Sequence, residues 1–142
     1  MNLESQRDQL LEQMKESLAA ALPARVVRRG LVDPATLPLK ELQQGVLCLV
    51  GRGGGSFANW QGREGELGTV RASLVGFVQV GERDELLVVE QAEMALLEEV
   101  LTWIGEPKSP PLDSIYPGDY SQSGGLEHPV GWFSLALEVR HV

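Results

Sequence analysis

The sequence has 142 residues, 43% of them hydrophobic, and a formal net charge of -8 at pH 7. This length suits one core, so we expect a single domain over residues 1–142. The acidity argues against specific nucleic-acid binding, because phosphate binding needs clustered Lys and Arg, and no apolar run reaches the roughly 18 residues of a membrane span. The mixed-charge, helically periodic start does not resemble a signal peptide, which favours an intracellular location.

The first half of the chain predicts one long helix and two strands. Apolar residues at three-and-four spacing predict a helix from Leu3 to Leu22, and Pro23 ends it. A short strand is expected over Arg25 to Val32, then one helical turn over Leu39 to Gln43. The continuous apolar run Val46 to Val50 predicts a central strand covered on both faces.

A glycine-rich stretch then separates this strand from the next. Residues 51–68 are polar and without periodicity, which predicts a flexible loop. Thr69 to Val80 alternates and predicts a half-buried strand, with Thr69, Arg71, Ser73 and Gln79 on its outer face. The residues expected on its inner face are Val70, Ala72, Leu74, Val78 and Val80.

A second helix is predicted over Asp84 to Ile104, and Gly105 and Pro107 stop it. The residues expected in its apolar stripe are Val88, Met94, Leu97, Val100, Leu101 and Ile104. Eight acids and one base lie between Glu82 and Glu106, and we expect these acids, including Glu93, to form a solvated helix face.

The C-terminal part predicts a loop and a last strand. Residues 107–129 are rich in proline, serine and glycine and predict a second flexible loop. Trp132 to Val142 alternates, with Phe133, Leu135, Leu137 and Val139 expected inside and Ser134, Glu138 and Arg140 outside. The predicted fold is an α+β two-layer sandwich in the order α-β-β-β-α-β. Two helices would cover one face of a mainly antiparallel four-stranded sheet.

No catalytic, cofactor or metal site is predicted. The glycines at 51, 53, 54 and 55 follow a strand, but neither the lysine of a phosphate-binding loop nor the helix start of a dinucleotide turn follows them. His128 and His141 lack spaced partners for a metal ion, and no serine stands in a nucleophile motif. Cys48 lies in an apolar run and is expected to be a buried small hydrophobe. We therefore do not expect an enzyme.

The aromatic residues of the two loops are candidate interface residues. Arginine and aromatic side chains are enriched at interface anchors, and the alternative is that these rings fold back onto the sheet. The candidates are Arg52, Phe57, Trp60, Arg63, Tyr116 and Tyr120. The last strand is a further candidate, because an edge strand can pair with another chain.

The order of elements, the acidic second helix, the Pro-rich loop and the final strand GWFSLALEVRHV give the chain a resemblance to a known family. It resembles the tail terminator and tail completion proteins of long-tailed bacteriophages, including minor tail proteins of Mu-like prophages. The resemblance implies a non-enzymatic structural protein that forms a ring, a hexamer, and caps the tail tube. The tail tube and the head-tail connector would be its partners.

The same resemblance implies a place in the virion tail, and in the host cytoplasm during assembly. Residues 52–67 would correspond to the hairpin that such proteins use to contact the tube or adjacent subunits. No cofactor is expected for the protein. The segment 108–129 has no fixed counterpart in that family. The alternative function is a small bacterial adaptor or a ligand-binding α+β domain.

Overall fold

The computed structural model describes residues 3–56 and 69–140, and over these residues the fold is α+β, with three α-helices and five strands. In chain order the elements are α1 (Leu3–Ala21), β1 (Val26–Arg29), α2 (Leu39–Gln44), β2 (Val46–Ser56), β3 (Thr69–Gln79), α3 (Leu86–Gly105), β4 (Ile115–Gln122) and β5 (Val130–Val139). The α+β class is therefore confirmed, whereas the predicted element order and the number of strands were incomplete.

The five strands form one mixed sheet in the order β1-β2-β3-β5-β4. β1 pairs with β2 in parallel, and the other three pairings are antiparallel. A parallel neighbour requires a crossover connection, and residues 30–45, which contain α2, make it. The predicted mainly antiparallel sheet is correct for most pairings, but the sheet has five strands and not four.

The predicted loop 107–129 was wrong in its centre, because β4 lies there as an edge strand. Every residue of β4 except Ile115 and Gln122 is exposed, so no apolar alternation marks this strand in the sequence. β5 consequently lies inside the sheet, between β3 and β4, and is not an edge. The predicted loop 51–68 was also too long, because β2 continues to Ser56 and pairs there with Thr69.

The sheet has a fully covered face and a partly covered face. α1 and α3 pack on the first, where Leu47, Leu74 and Phe133 are buried with the predicted inner residues of β3 and β5, apart from Val80, which is half-buried. On the other face, Leu42 of α2 packs with Val46, Cys48 and Phe77 in a smaller cluster. The two predicted helices, α1 and α3, thus share one face as expected, and the crossover carries α2 to the opposite face. We call this second face the open face.

The phase of α3 differs from its prediction. The buried positions are Val89, Glu93, Leu96, Leu97, Val100 and Trp103. Met94 and Leu101, which were expected inside, are 44% and 41% exposed. This helix has apolar residues around most of its circumference, so spacing alone permits more than one inward face, and the fit of Val89, Leu96 and Val100 against the sheet decides between them.

Glu93 is the charged side chain that the prediction misplaced most clearly, because it is only 1% exposed. Its carboxylate accepts hydrogen bonds from the backbone N–H groups of Gly124 (3.0 Å) and Trp132 (2.8 Å). The Gln122 amide donates at 3.2 Å, and the Ser123 hydroxyl also donates. A buried carboxylate is tolerated when donors surround it, and these four lie between Gln122, at the end of β4, and Trp132, near the start of β5.

Two glycines of the sheet make room for large neighbours. A Cβ at Gly131 would lie 2.7 Å from Cγ of Glu93, and a Cβ at Gly76 would lie 2.2 Å from Cε1 of Phe133. Both distances are shorter than any tolerable carbon contact. The absence of a side chain at these positions therefore permits Glu93 and Phe133 to occupy the interior.

The arginines at the start of the sheet connect β1 to all three helices. The Arg25 Nε donates to Glu99 of α3 at 3.2 Å, and Arg28 pairs with Glu41 of α2 at 3.0 Å. Arg29 pairs with both Asp8 and Glu12 of α1, at 3.2 and 2.9 Å. These pairs are partly exposed, so each contributes little free energy alone, but together they fix a strand of only four residues.

Replacing Glu93 should destabilise the protein more than any exposed acid does. Glu93→Ala would leave one buried and three partly buried donors without this acceptor, and we expect a loss of about 3 kcal/mol in the free energy of unfolding. Glu93→Gln keeps the volume but turns a donor toward other donors, with an expected loss of about 2 kcal/mol. Urea unfolding followed by circular dichroism measures both.

The matched control is Glu98→Gln, because Glu98 is an exposed acid of the same helix. We expect it to change the free energy of unfolding by less than about 0.5 kcal/mol. Equal stabilities for Glu93→Ala and wild type would contradict the assignment of Glu93 as the acceptor that anchors the β4–β5 connection.

Candidate functional site

A depression on the open face brings together three arginines and a tyrosine. Its volume is about 290 Å³. The lining residues are Arg52, Arg71, Tyr116, Pro117, Gly118, Asp119, Ala136, Leu137, Glu138 and Arg140. We call it the arginine depression.

Strand register accounts for the core of this depression. Arg71 of β3 pairs with Glu138 of β5, and Glu138 pairs with Tyr116 of β4. Side chains of directly paired residues lie on the same face of a sheet, so these three form a row across neighbouring strands. Arg52 enters from the far part of β2, which continues past the predicted end of that strand.

Arg140 is held over the same row by two contacts. Its guanidinium carbon lies 4.1 Å from the centre of the Tyr116 ring, within the range of a cation–π interaction. Its Nε donates to Glu138 at 3.3 Å. The backbone N–H of Arg140 also donates to the Ser114 carbonyl at 3.1 Å, which fixes the chain where it leaves the sheet. Arg140 and Tyr116 therefore present one preformed surface.

The depression is locally positive, whereas the chain as a whole is negatively charged. Three arginines face two acids, Asp119 and Glu138, in a chain of net charge -8. Within residues 3–56 and 69–140, neither Arg52 nor Arg71 has a carboxylate partner for its guanidinium group. Both side chains are exposed, and arginine suits contact with an acidic partner because its planar group binds carboxylates in a bidentate manner.

Two of the six predicted interface residues meet here, since Arg52 and Tyr116 line the same depression from segments far apart in sequence. Tyr120 lies on β4 as well and is 62% exposed, but it does not line the depression. Phe57, Trp60 and Arg63 lie outside the described residues. Arg71 and Arg140 were predicted on the outer faces of their strands, yet the sequence alone did not indicate that these faces adjoin.

The edge strand β4 beside the depression is exposed but irregular. Its pairing with β5 is interrupted between Pro117 and Tyr120, and proline has no N–H to donate. Such irregularity and a central proline discourage the addition of a further strand. The contact capacity of this edge therefore resides in its side chains more than in its backbone.

A second concavity lies at the opposite end of the open face. It has a volume of about 580 Å³, and hydrophobic residues predominate in its lining. The lining residues are Asp33, Pro34, Ala35, Leu37, Leu39, Leu42, Phe77, Gln79, Glu127, Val130 and Trp132. We call it the apolar groove. Arg71 and Gln79 lie on the same face of β3, about 27 Å apart along the strand, so the two concavities share one surface.

Two titratable residues outside the arginine depression, His128 and Asp33, have structural contacts. Over the described residues, no three His, Cys, Asp or Glu side chains are grouped closely enough to hold a metal ion. The His128 Nε2 donates to the Asp84 carbonyl at 2.7 Å, which joins two loops. Asp33 lines the groove, but its carboxylate accepts from the Ala35 N–H at 3.0 Å and begins a short 3-10 helix.

Cys48 is buried, as predicted, and lies beneath the smaller cluster of the open face. Burial raises the pKa of the Cys48 thiol, and this effect exceeds the opposing influence of a hydrogen bond from the Val32 backbone and of the Arg28 charge. A raised pKa keeps the thiol neutral at pH 7 to 8, and a neutral thiol is a poor nucleophile.

Cys48 should therefore resist alkylation while the protein is folded. At pH 8 we expect iodoacetamide to modify native Cys48 at least about a hundredfold more slowly than in the same protein unfolded in urea. Raising the pH to 9 should accelerate the native reaction less than it accelerates a model thiol, because the native pKa is higher. Mass spectrometry of quenched samples measures both rates, and equal rates in native and unfolded protein would contradict the burial of this thiol.

Among residues 3–56 and 69–140, no helix is both long and apolar enough to cross a membrane. No family model and no curated protein matches this sequence. The function is therefore inferred from the surfaces of the molecule, above all from the arginine depression and the apolar groove on its open face.

Proposed function

We propose that this protein is a non-enzymatic assembly protein of a phage or prophage tail, which caps the tail tube as a ring and joins it to the head connector. The observation that carries the proposal is the arginine depression, a preformed and charged concavity beside an exposed edge strand. Arginine and tyrosine are the residues that most often anchor protein interfaces. The chain resembles tail terminator proteins in element order, length and acidity, and for this reason we propose a phage tail as the assembly.

The distribution of charge supports a protein partner over a nucleic acid. The three arginines of the depression are interleaved with Asp119 and Glu138, and the chain as a whole is strongly acidic. A surface that tracks a phosphate backbone carries an uninterrupted positive stripe. An interleaved patch instead matches a protein surface with its own pattern of charges, where it provides specificity and orientation.

We propose a ring of six subunits. Ring formation is compatible with a subunit whose two sides, the helical layer and the open face, differ. The helical layer and the open face differ in charge and shape, so contact between unlike surfaces repeats from one subunit to the next. Such contacts close into a ring when the rotation between subunits permits it. The proposed location is the virion tail, and the host cytoplasm during assembly.

The first test is the mass of the purified protein over a concentration series, by light scattering after size exclusion. We expect a species of about six times the 15.5 kDa chain mass at high concentration, with ring-shaped particles in negative-stain electron microscopy. Phe57→Ser with Trp60→Ser tests the predicted contribution of residues 52–67 to the same contact. A strict monomer at every concentration up to the solubility limit would contradict a ring that forms in solution.

A ligand-binding domain is the second candidate, and the apolar groove is the observation that favours it. Its volume of about 580 Å³ lies in the range of small-molecule sites, and Trp132, Phe77 and Leu42 supply an apolar lining with the Gln79 amide as a polar group. The rim acids Asp33 and Glu127 favour neutral or cationic ligands over anions.

This alternative predicts that a neutral apolar dye such as Nile red binds in the groove and alters Trp132 fluorescence. Leu39→Asp places a charge in the lining at an exposed position and should weaken dye binding about tenfold. Leu86→Asp is the matched control, because Leu86 is an equally exposed leucine on α3 and should leave binding unchanged. Equal dye binding by wild type and Leu39→Asp would count against a site in the groove.

A further inference from the structure

The outer surface of α3 carries large apolar residues that nothing in the described chain covers. Leu87 is 53% exposed, and Met94 and Leu101 follow it at intervals of seven residues. Residues at this interval lie on one side of a helix, opposite the buried positions of α3. Glu98 lies within the same line and Glu90 at its side, both at least partly exposed. We call these five residues the α3 outer stripe.

The α3 outer stripe is acidic and apolar, whereas arginines outnumber acids three to two in the arginine depression. The stripe offers carboxylates and aliphatic side chains, whereas the depression offers guanidinium groups, the Tyr116 ring and the small apolar side chains Pro117 and Ala136. Arg52 and Arg71 have no carboxylate partner within residues 3–56 and 69–140, and no side chain of these residues forms a hydrogen bond or ion pair with the Glu98 carboxylate. Opposite charges on two exposed surfaces favour their association.

Dimensions and placement are compatible with this pairing. The stripe extends about 21 Å from Leu87 to Leu101, at 1.5 Å per residue, which is shorter than the roughly 34 Å of β3 and so fits within the open face. The depression can admit the side chain of Glu98, the exposed acid that lies in line with Met94 and Leu101. The stripe lies in the helical layer and the depression on the other side of the sheet, so one copy can use both surfaces at once.

We propose that the α3 outer stripe of one copy docks against the arginine depression of a second copy, with Glu98 between Arg52 and Arg71. This inference rests on the proposed ring function and names the two surfaces that meet in it. The contact joins unlike surfaces on opposite layers, so each docking leaves a free stripe at one end and a free depression at the other. Repetition gives a closed ring when the rotation between neighbouring copies closes.

Charge reversal on each surface tests the contact. One variant carries Arg52→Glu and Arg71→Glu, and the other carries Glu90→Arg and Glu98→Arg. Each variant alone should associate about a hundredfold more weakly than wild type, because like charges would then face each other. An equimolar mixture should recover the assembly, since each stripe then meets a depression of opposite charge, and the recovered ring would alternate the two variants.

Controls separate this contact from a general effect of charge. Lys40→Glu with Arg83→Glu and Glu82→Arg with Asp113→Arg change the net charge by equal amounts at exposed positions outside both surfaces. Both control variants should assemble as wild type does. Urea unfolding of every variant establishes that a lost assembly is not a lost fold, and light scattering of single and mixed samples measures the association.

The outcomes distinguish the docking from the proposed function. If wild type forms rings and both charge-reversed variants do so equally well, the docking is overturned while the ring function stands. If wild type stays monomeric at every concentration, both are overturned. A third outcome is that both charge-reversed variants assemble as wild type does, while Arg52→Glu with Arg71→Glu abolishes binding of a short DNA duplex. The depression then binds nucleic acid, and the docking is again overturned.

Discussion

The buried carboxylate of Glu93 holds the edge of the sheet in place, and the surface features depend on that edge. Its four donors belong to the last residue of β4, to the segment between β4 and β5, and to the first residues of β5. β4 has little apolar surface of its own, since Ile115 is its single fully buried residue. An edge strand so poor in core contacts needs polar anchoring, and α3 provides it from the interior through this one side chain. Tyr116 thereby stays beside Glu138 and beneath Arg140.

The covered face of the sheet was predictable, because its residues repeat with the period of their element. Alternation through Val70, Ala72 and Leu74, and through Leu135 and Leu137, identified the inner faces of β3 and β5. The same rule failed for β4, where Pro117 and Gly118 break the pattern and the strand is exposed on both sides. Glu93 was missed because a glutamate on an acidic helix gives no local sign that distant donors surround it. Its partners become neighbours only when the chain has folded.

The types of residue in the candidate site were predictable from the sequence, but the way the fold brings them together was not. Arg52 and Tyr116 stood out as arginine and aromatic residues in segments without periodicity. Arg71 and Arg140 were expected on outer faces, but four separate segments supply the depression, and their adjacency follows from register. That register depends on β5 lying inside the sheet, which the sequence of a terminal strand does not indicate. Pairings between distant segments are the information that periodicity lacks.

The interior position of β5 also has a consequence for how the chain acquires its fold during synthesis. β5 is the last strand of the described chain to leave the ribosome, yet it separates β3 from β4 and pairs with both. Val70 pairs with Val139, so the ladder between β3 and β5 is complete only after residue 139 has been synthesised. Until then β3 has a paired strand only on its β2 edge. Glu93 of α3 also lacks its donor in β5, the backbone N–H of Trp132. Nascent chains that end early would thus display an apolar sheet edge, a signal that chaperones and proteases recognise.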